Sequence, residues 1–167
     1  MALGRRVFGG AIVVVLVMAG YGGGWLMGRR VFGSAVNPAS LTVAERQFIE
    51  RMHDVTMVGS STAAGKEGAA PHASRYGISS VEKVGEGQWR FNVVMHCCGV
   101  DGAIPVVVPM QWNGDTPMVT LTDATLPGLG TFTVRVLFYG DRYAGIWQHG
   151  TAGGSMSGRI ENSRVDP

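Results

Sequence analysis

The residues with the most chemical potential in this chain stand side by side, in the "HCC" of His96, Cys97 and Cys98. Imidazole and thiolate are both good ligands for zinc or copper. On a strand, successive side chains point to opposite faces, so His96 and Cys98 share one face and Cys97 takes the other. His96 and Cys98 are therefore the metal-ligand candidates, and they form an incomplete set unless a residue such as His149 arrives from another strand. An ordinary strand end is the simpler account. A disulfide between adjacent cysteines would strain the peptide unit that joins them. No cofactor is expected.

The other reactive groups do not converge. His53, His72, His96 and His149 show no H-x-x-x-H spacing, and no serine stands in a nucleophile elbow. Asp101, Asp115, Asp123 and Asp141 lie in or beside turns, where aspartate commonly stabilises the turn itself. "GSSTAAGKE" at 59–67 partly matches a phosphate-binding loop, but it has five residues between its glycines, lacks Ser or Thr after Lys66 and precedes no helix. A glycine-rich hairpin loop explains it better. These features point away from an enzyme. A second group of residues points towards binding: Trp89, Met110, Trp112 and Trp147 share the inward face of their strands. They either line an apolar ligand cavity or fill it.

The elements that must position these side chains are mostly strands. Trp89, Phe91, Val93 and Met95 alternate with Arg90, Asn92, Val94 and His96, and Ile104, Val106, Val108, Met110 and Trp112 alternate in the same way. About eight strands are expected, near 54–62, 75–84, 88–97, 104–112, 117–123, 130–139, 142–149 and 155–161. Asn113-Gly114 suits a type I′ hairpin, Gly140-Asp141 a type II′ hairpin and Pro127-Gly128 a type II turn. Eight successive antiparallel strands build a small up-and-down barrel, with a β-sandwich as the alternative. Pro105 and Pro109 lie four apart, so their missing N–H groups face the same neighbour and predict a barrel opened on that side. Before the strands, Thr42 and Glu45 have capping-box spacing, and Ala44, Phe48, Ile49 and Met52 form an apolar stripe, which predicts one short helix over about 42–53.

The first 30 residues read differently. "GRRVFG" occurs twice, at 4–9 and 28–33, and the 22 residues Val7–Gly28 between the arginine pairs carry no charge and no proline. As a helix they would reach about 33 Å, close to the hydrocarbon thickness of a bilayer. Arg5, Arg6, Arg29 and Arg30 flank this expected anchor, and Tyr21 and Trp25 suit its interface. The bilayer is then a partner, and the domain is expected outside the cytoplasm as a single-pass membrane protein. Val17-Met18-Ala19 offers the alternative of signal cleavage after Ala19 and a secreted domain. Gly20, Gly24 and Gly28 form a G-x-x-x-G-x-x-x-G stripe, open to homodimerisation through the anchor or to a glycine-rich helix end. The expected organisation is anchor 1–30, linker 31–41, barrel 42–161 and tail 162–167.

Four of the 14 basic residues lie in the anchor flanks, which leaves 10 against 12 acidic residues and a domain charge of −2. The chain therefore presents no basic face for a phosphate backbone, and nucleic acid is not an expected partner. With 26 glycines and only 16% charged residues, its composition suits a turn-rich β protein.

The segments "RYGISSVEKVGEGQWRFNVV", "QWNGDTPMVTLTDATLPGLGTFTVRVLFYGDRYAGIWQHG" and "GGSMSGRIE" resemble a family of uncharacterised bacterial proteins that carry an N-terminal export or anchor segment before a domain of this size. The resemblance covers most of 41–161 and implies a lipocalin-like, or calycin-like, β-barrel, without an activity to carry over. Gly145-Ile146-Trp147 has the lipocalin G-x-W form, though on a late strand. The expectation is a non-enzymatic, membrane-anchored cell-envelope domain that binds a small apolar ligand or a protein partner. The alternatives are a purely structural barrel and, further off, a hydrolytic or metal-dependent enzyme.

Overall fold

The structure, a computed structural model, describes residues 33–64, 70–97, 100–126 and 130–163. The expected anchor, with Arg5, Arg6, Gly20, Gly24, Gly28, Arg29 and Arg30, lies outside them, as do Cys98, the Pro127-Gly128 turn and most of the 162–167 tail. No helix among the described residues is long and apolar enough to cross a membrane.

The chain enters with a single 3₁₀ turn, Pro38–Ser40, in which Asn37 accepts the Ala39 N–H at 3.0 Å. Helix α1 follows at Val43–Arg51 and begins with the expected capping box. The Thr42 N–H donates to Glu45 Oε2 at 2.8 Å, and the Thr42 hydroxyl accepts the Glu45 N–H at 3.2 Å. These bonds satisfy N–H groups that a helix start leaves without intrahelical partners. The helix buries Phe48, and Met52 caps it with its side chain fully buried.

Eight antiparallel strands form a closed barrel in sequential order: β1 Val55–Ser61, β2 His72–Gly85, β3 Gln88–Cys97, β4 Val100–Asn113, β5 Thr116–Leu126, β6 Gly130–Tyr139, β7 Arg142–His149 and β8 Ala152–Asn162. β8 closes on β1 along Val55↔Asn162 to Ser61↔Met156. The barrel, and not the sandwich, is therefore the architecture. One turn departs from expectation. Asn113 pairs with Thr116, so the two-residue loop is Gly114-Asp115, one residue later than the Asn113-Gly114 reading. Gly114 takes the positive φ of +63°, and Gly140 does the same at +57° in the matching Gly140-Asp141 loop. A glycine placed first in such a loop supplies the left-handed backbone that turns the strand.

The two prolines of β4 leave their mark on the barrel wall. Met110 donates its N–H to Gly87 O on the β3 side at 2.8 Å, so the odd-numbered neighbours Pro105 and Pro109 face β5. Among the described residues β4 and β5 pair only from Met110↔Val119 to Asn113↔Thr116. The ladder stops where Pro109 can no longer donate. On the far strand, a register shift between Leu121 and Ala124 and a positive φ of +46° at Asp123 turn β5 within its pairing to β6. The barrel is thus closed at this seam by four residue pairs, and β4 and β5 run on unpaired beyond them.

α1 closes one end, where the 86–87, 114–115 and 140–141 loops lie. Arg51 donates to Gly140 O at 3.2 Å, and Lys83 Nζ lies 2.6 Å from Glu45 Oε1. The incoming chain is docked at the same end: Val36 N–H donates to Lys83 O at 2.9 Å, and Arg90 donates to Gly33 O at 3.2 Å. The 149–152 connection lies at the opposite, mouth end.

Candidate functional site

The barrel interior divides into two halves of different character. In the half next to α1, Phe48 enters the lumen and meets four rings edge-on, with centroids 5.4 Å from Phe138, 5.7 Å from Trp112, 5.9 Å from Trp89 and 6.3 Å from Phe91. Trp89 and Trp112 lie 5.7 Å apart. Met110, Val119 and Val136 complete a closed apolar core. Edge-to-face packing of these rings fills much of this half. Trp89, Met110 and Trp112, expected at a ligand cavity, are brought together here in one apolar cluster, with Trp89 and Met110 buried and Trp112 half-buried.

Towards the mouth Phe132 and Ser61 are buried, but several other inward side chains are looser. Tyr76, Val106, Leu121, Val134 and Trp147 all point inwards, yet each is only half-buried. Trp147, the fourth cavity candidate, pairs with Val134 on one side and with Gly154 on the other. Its indole N–H, like those of Trp89 and Trp112, is buried without a hydrogen-bond partner. Of the four candidates it alone lies towards the mouth, and it shares its partial burial with Trp112. At the rim, His149 stacks on its register partner Phe132 with centroids 4.2 Å apart and planes within 3°.

One rung carries polar groups from Tyr143, beside the closed end, across the wall to Ser74 nearer the mouth. The register runs Tyr143↔Gly158, Gly158↔Gly59 and Gly59↔Ser74, from β7 across β8 and β1 to β2. Because two glycines stand in the rung, the Tyr143 side chain can lie across both. Its hydroxyl comes within 2.5 Å of where a Cβ on Gly59 would be and within 2.7 Å of one on Gly158. Tyr143 is only 2% exposed, and its hydroxyl makes no hydrogen bond. Burial pushes the Tyr143 and Tyr76 phenols above their ordinary value of 10.0, opposed in part by the nearby Ser74 hydroxyl, and Tyr76 is raised further by Tyr143. Ser74 is thus close to both phenols, although its approach to Tyr143 lacks hydrogen-bond geometry. The wall therefore carries three hydroxyls and an indole N–H that stay uncharged at neutral pH.

The remaining candidates are dispersed. His96 lies on β3 with Asp101 as its register partner, whereas His149 lies on β7, which is no neighbour of β3. Among the described residues no three His, Cys, Asp or Glu side chains form a group that could hold a metal ion. Asp115 and Asp141 sit in hairpin loops, and Asp123 sits at the β5 bulge, where Thr133 Oγ1 bonds both its backbone N–H and its carboxylate at 3.0 Å.

Sequence reasoning missed Tyr143, Tyr76 and Ser74. Tyr143 and Trp147 are four apart on one strand and share its inward face, so alternation alone could have added Tyr143 to the tryptophans. The glycine notch depends on register between strands about a hundred residues apart, which alternation does not specify.

No family model, curated protein or solved structure matches this chain. The expected lipocalin-like likeness is carried here by the closed eight-stranded barrel itself.

Proposed function

We propose that this protein is a non-enzymatic binding barrel of the cell envelope, held at a membrane by residues 7–28, that takes a small apolar ligand into the mouth half of its lumen. The carrying observation is that inward apolar side chains there, Val106, Leu121, Val134 and Trp147, remain half-buried, whereas Phe48 packs among four rings at the opposite end. Apolar surface that faces a lumen and stays accessible gains free energy when a ligand covers it, at about 25 cal/mol per Å². The dispersion of the acids and histidines supports a role in binding over chemistry. The Phe48 cluster favours the competing reading of a packed spacer, and one titration separates the two. An uncharged, environment-sensitive naphthylamine dye added to the domain should give saturable, one-to-one fluorescence enhancement with energy transfer from tryptophan. Enhancement that never saturates, or that matches the dye on unfolded protein, would leave the spacer.

A further inference from the structure

A ligand held in the lumen needs a way through the wall or the mouth, and the seam between β4 and β5 is the part of the wall where no ladder has to break. Among the described residues the two strands pair only from Met110↔Val119 to Asn113↔Thr116, at the α1 end. Each strand is meanwhile held on its other side. β4 pairs with β3 without a break from Gln88↔Pro109 to Cys97↔Val100. β5 is fastened to β6 by side chains as well as by its ladder. Arg135 donates to Leu121 O and to Thr122 Oγ1, both at 2.6 Å, and Thr133 Oγ1 accepts the Asp123 N–H at 3.0 Å. On the β4 side, Pro105 and Pro109 have no N–H to offer β5. The parting of the two strands is thus built into both of its edges.

Burial changes where the pairing ends. Met110 and Val119 form the last pair and are buried, whereas Val108 and Leu121, the next inward positions, are half-buried. On the β4 side the exposure stops at the seam. Trp89 and Phe91, the β3 partners of Val108 and Val106, are buried, although neither β4 residue is. On the β5 side it extends to Val134, the β6 partner of Leu121. The β4 lip is also apolar on both faces, with Val106 and Val108 inwards and Pro105, Val107 and Pro109 outwards, where a water-facing sheet would alternate with polar residues. An apolar guest that crosses this lip displaces no water from a polar side chain. The β5 lip presents Thr120 and Thr122 outwards.

We infer that this seam is the ligand's entrance: a small apolar molecule passes sideways between β4 and β5 and comes to lie against Val106, Val108, Leu121 and Val134. The inference rests on the binding reading above and adds the route. Parting two edges that share no ladder breaks no backbone hydrogen bond, whereas parting any other neighbouring pair of strands would strip paired N–H and C=O groups. The axial way in is partly covered, because Phe132 is buried at the mouth and His149 stacks on it.

Tying the seam shut tests this. Val107 and Thr122 are the outward positions that would face each other if the register of Met110↔Val119 ran on. Val107→Cys and Thr122→Cys are made in a chain that also carries Cys97→Ser and Cys98→Ser, and the pair is joined by the shortest bis-methanethiosulfonate that spans it, with the bridge confirmed by mass. Reductant then releases the bridge in the same sample. Thr120→Cys in place of Thr122→Cys gives a second bridge that leaves the bond from Arg135 to Thr122 intact. The probe is the uncharged naphthylamine dye, mixed rapidly with the protein. A doorway acts on entry and exit alike, so both rate constants should fall by about tenfold or more while Kd stays within about twofold, and reductant should restore them. Unchanged association with the bridge in place would mean entry by the mouth, which overturns the inference while the binding reading stands. A weaker Kd without slowing of both rates would mean that the bridge had reshaped the lumen, and it would overturn the inference too. Failure of the dye to bind the parent protein would remove the binding reading and this inference together.

Discussion

Tyr143 occupies a place that only glycine neighbours permit. An alanine at 158 would set its Cβ within 2.2 Å of Val58 O and 2.7 Å of the Tyr143 hydroxyl. Gly158→Ala should therefore destabilise the domain by about 1–3 kcal/mol, the range for overpacking, as read by denaturant melts. The two phenols also set a pH limit. Their pKa values are raised in the fold, so their contribution is complete below the unfolded value of 10.0 and declines as pH rises through the folded values. Stability measured between about pH 9 and 11 should fall less steeply in Tyr143→Phe than in the parent protein. Among the tryptophans, Trp89 is fully buried and Trp147 is not. Trp89→Ala should cost about 3–5 kcal/mol in melts, and Trp147→Ala distinctly less.

At the scale of elements, α1 is fastened at its first turn. Burial opposes the charge on Glu45, but bonds from Lys83 and from the Thr42 backbone outweigh it and hold the carboxyl below its ordinary value of 4.5. A carboxyl lowered in this way contributes its stability above 4.5, and the contribution is lost as pH falls through the folded value. Glu45→Gln should lower stability at pH 7 by about 1–3 kcal/mol and flatten the decline between about pH 5 and 3. The helix and all eight strands were legible in the sequence because each rests on a local pattern: Thr42 with Glu45 for the cap, period two for the strands, Gly140 for a hairpin. The Gly114-Asp115 loop was misplaced by one residue because Asn-Gly is the stronger local turn signal, while cross-strand pairing of Asn113 with Thr116 won. The site was less legible. Whether an inward tryptophan fills or lines a barrel depends on what enters from the ends. Phe48 arriving from α1 packs edge-on against Trp89 and Trp112, and no ring pair is formed by Trp147 among the described residues.

Across the whole molecule, the β4–β5 seam is the weakest join of the wall. Val107 and Ala103 turn their N–H groups to the side where no β5 partner is paired, whereas Val106 and Val108 bond towards β3. Amide exchange resolved to single residues should show Val107 and Ala103 exchanging much faster than Val106, Val108 and Gln111. Equal protection along β4 would mean that the seam is paired. The proposed anchor is tested separately by alkaline carbonate extraction with protease access to intact cells. The domain should remain with the membrane and be cleaved from outside, whereas a soluble product beginning at Gly20 would show a removed signal. If the anchor is retained, the docking of Gly33 on Arg90 sets the length of the leash. Only Val31 and Phe32 then stand between Arg30 and Gly33, three residue steps with a reach of at most about 11 Å. The barrel would stand on the bilayer by its plugged base, like a cup on a short stem, with its mouth turned to the aqueous phase. An apolar ligand would then meet the barrel from that phase, since α1 lies across the end nearer the membrane.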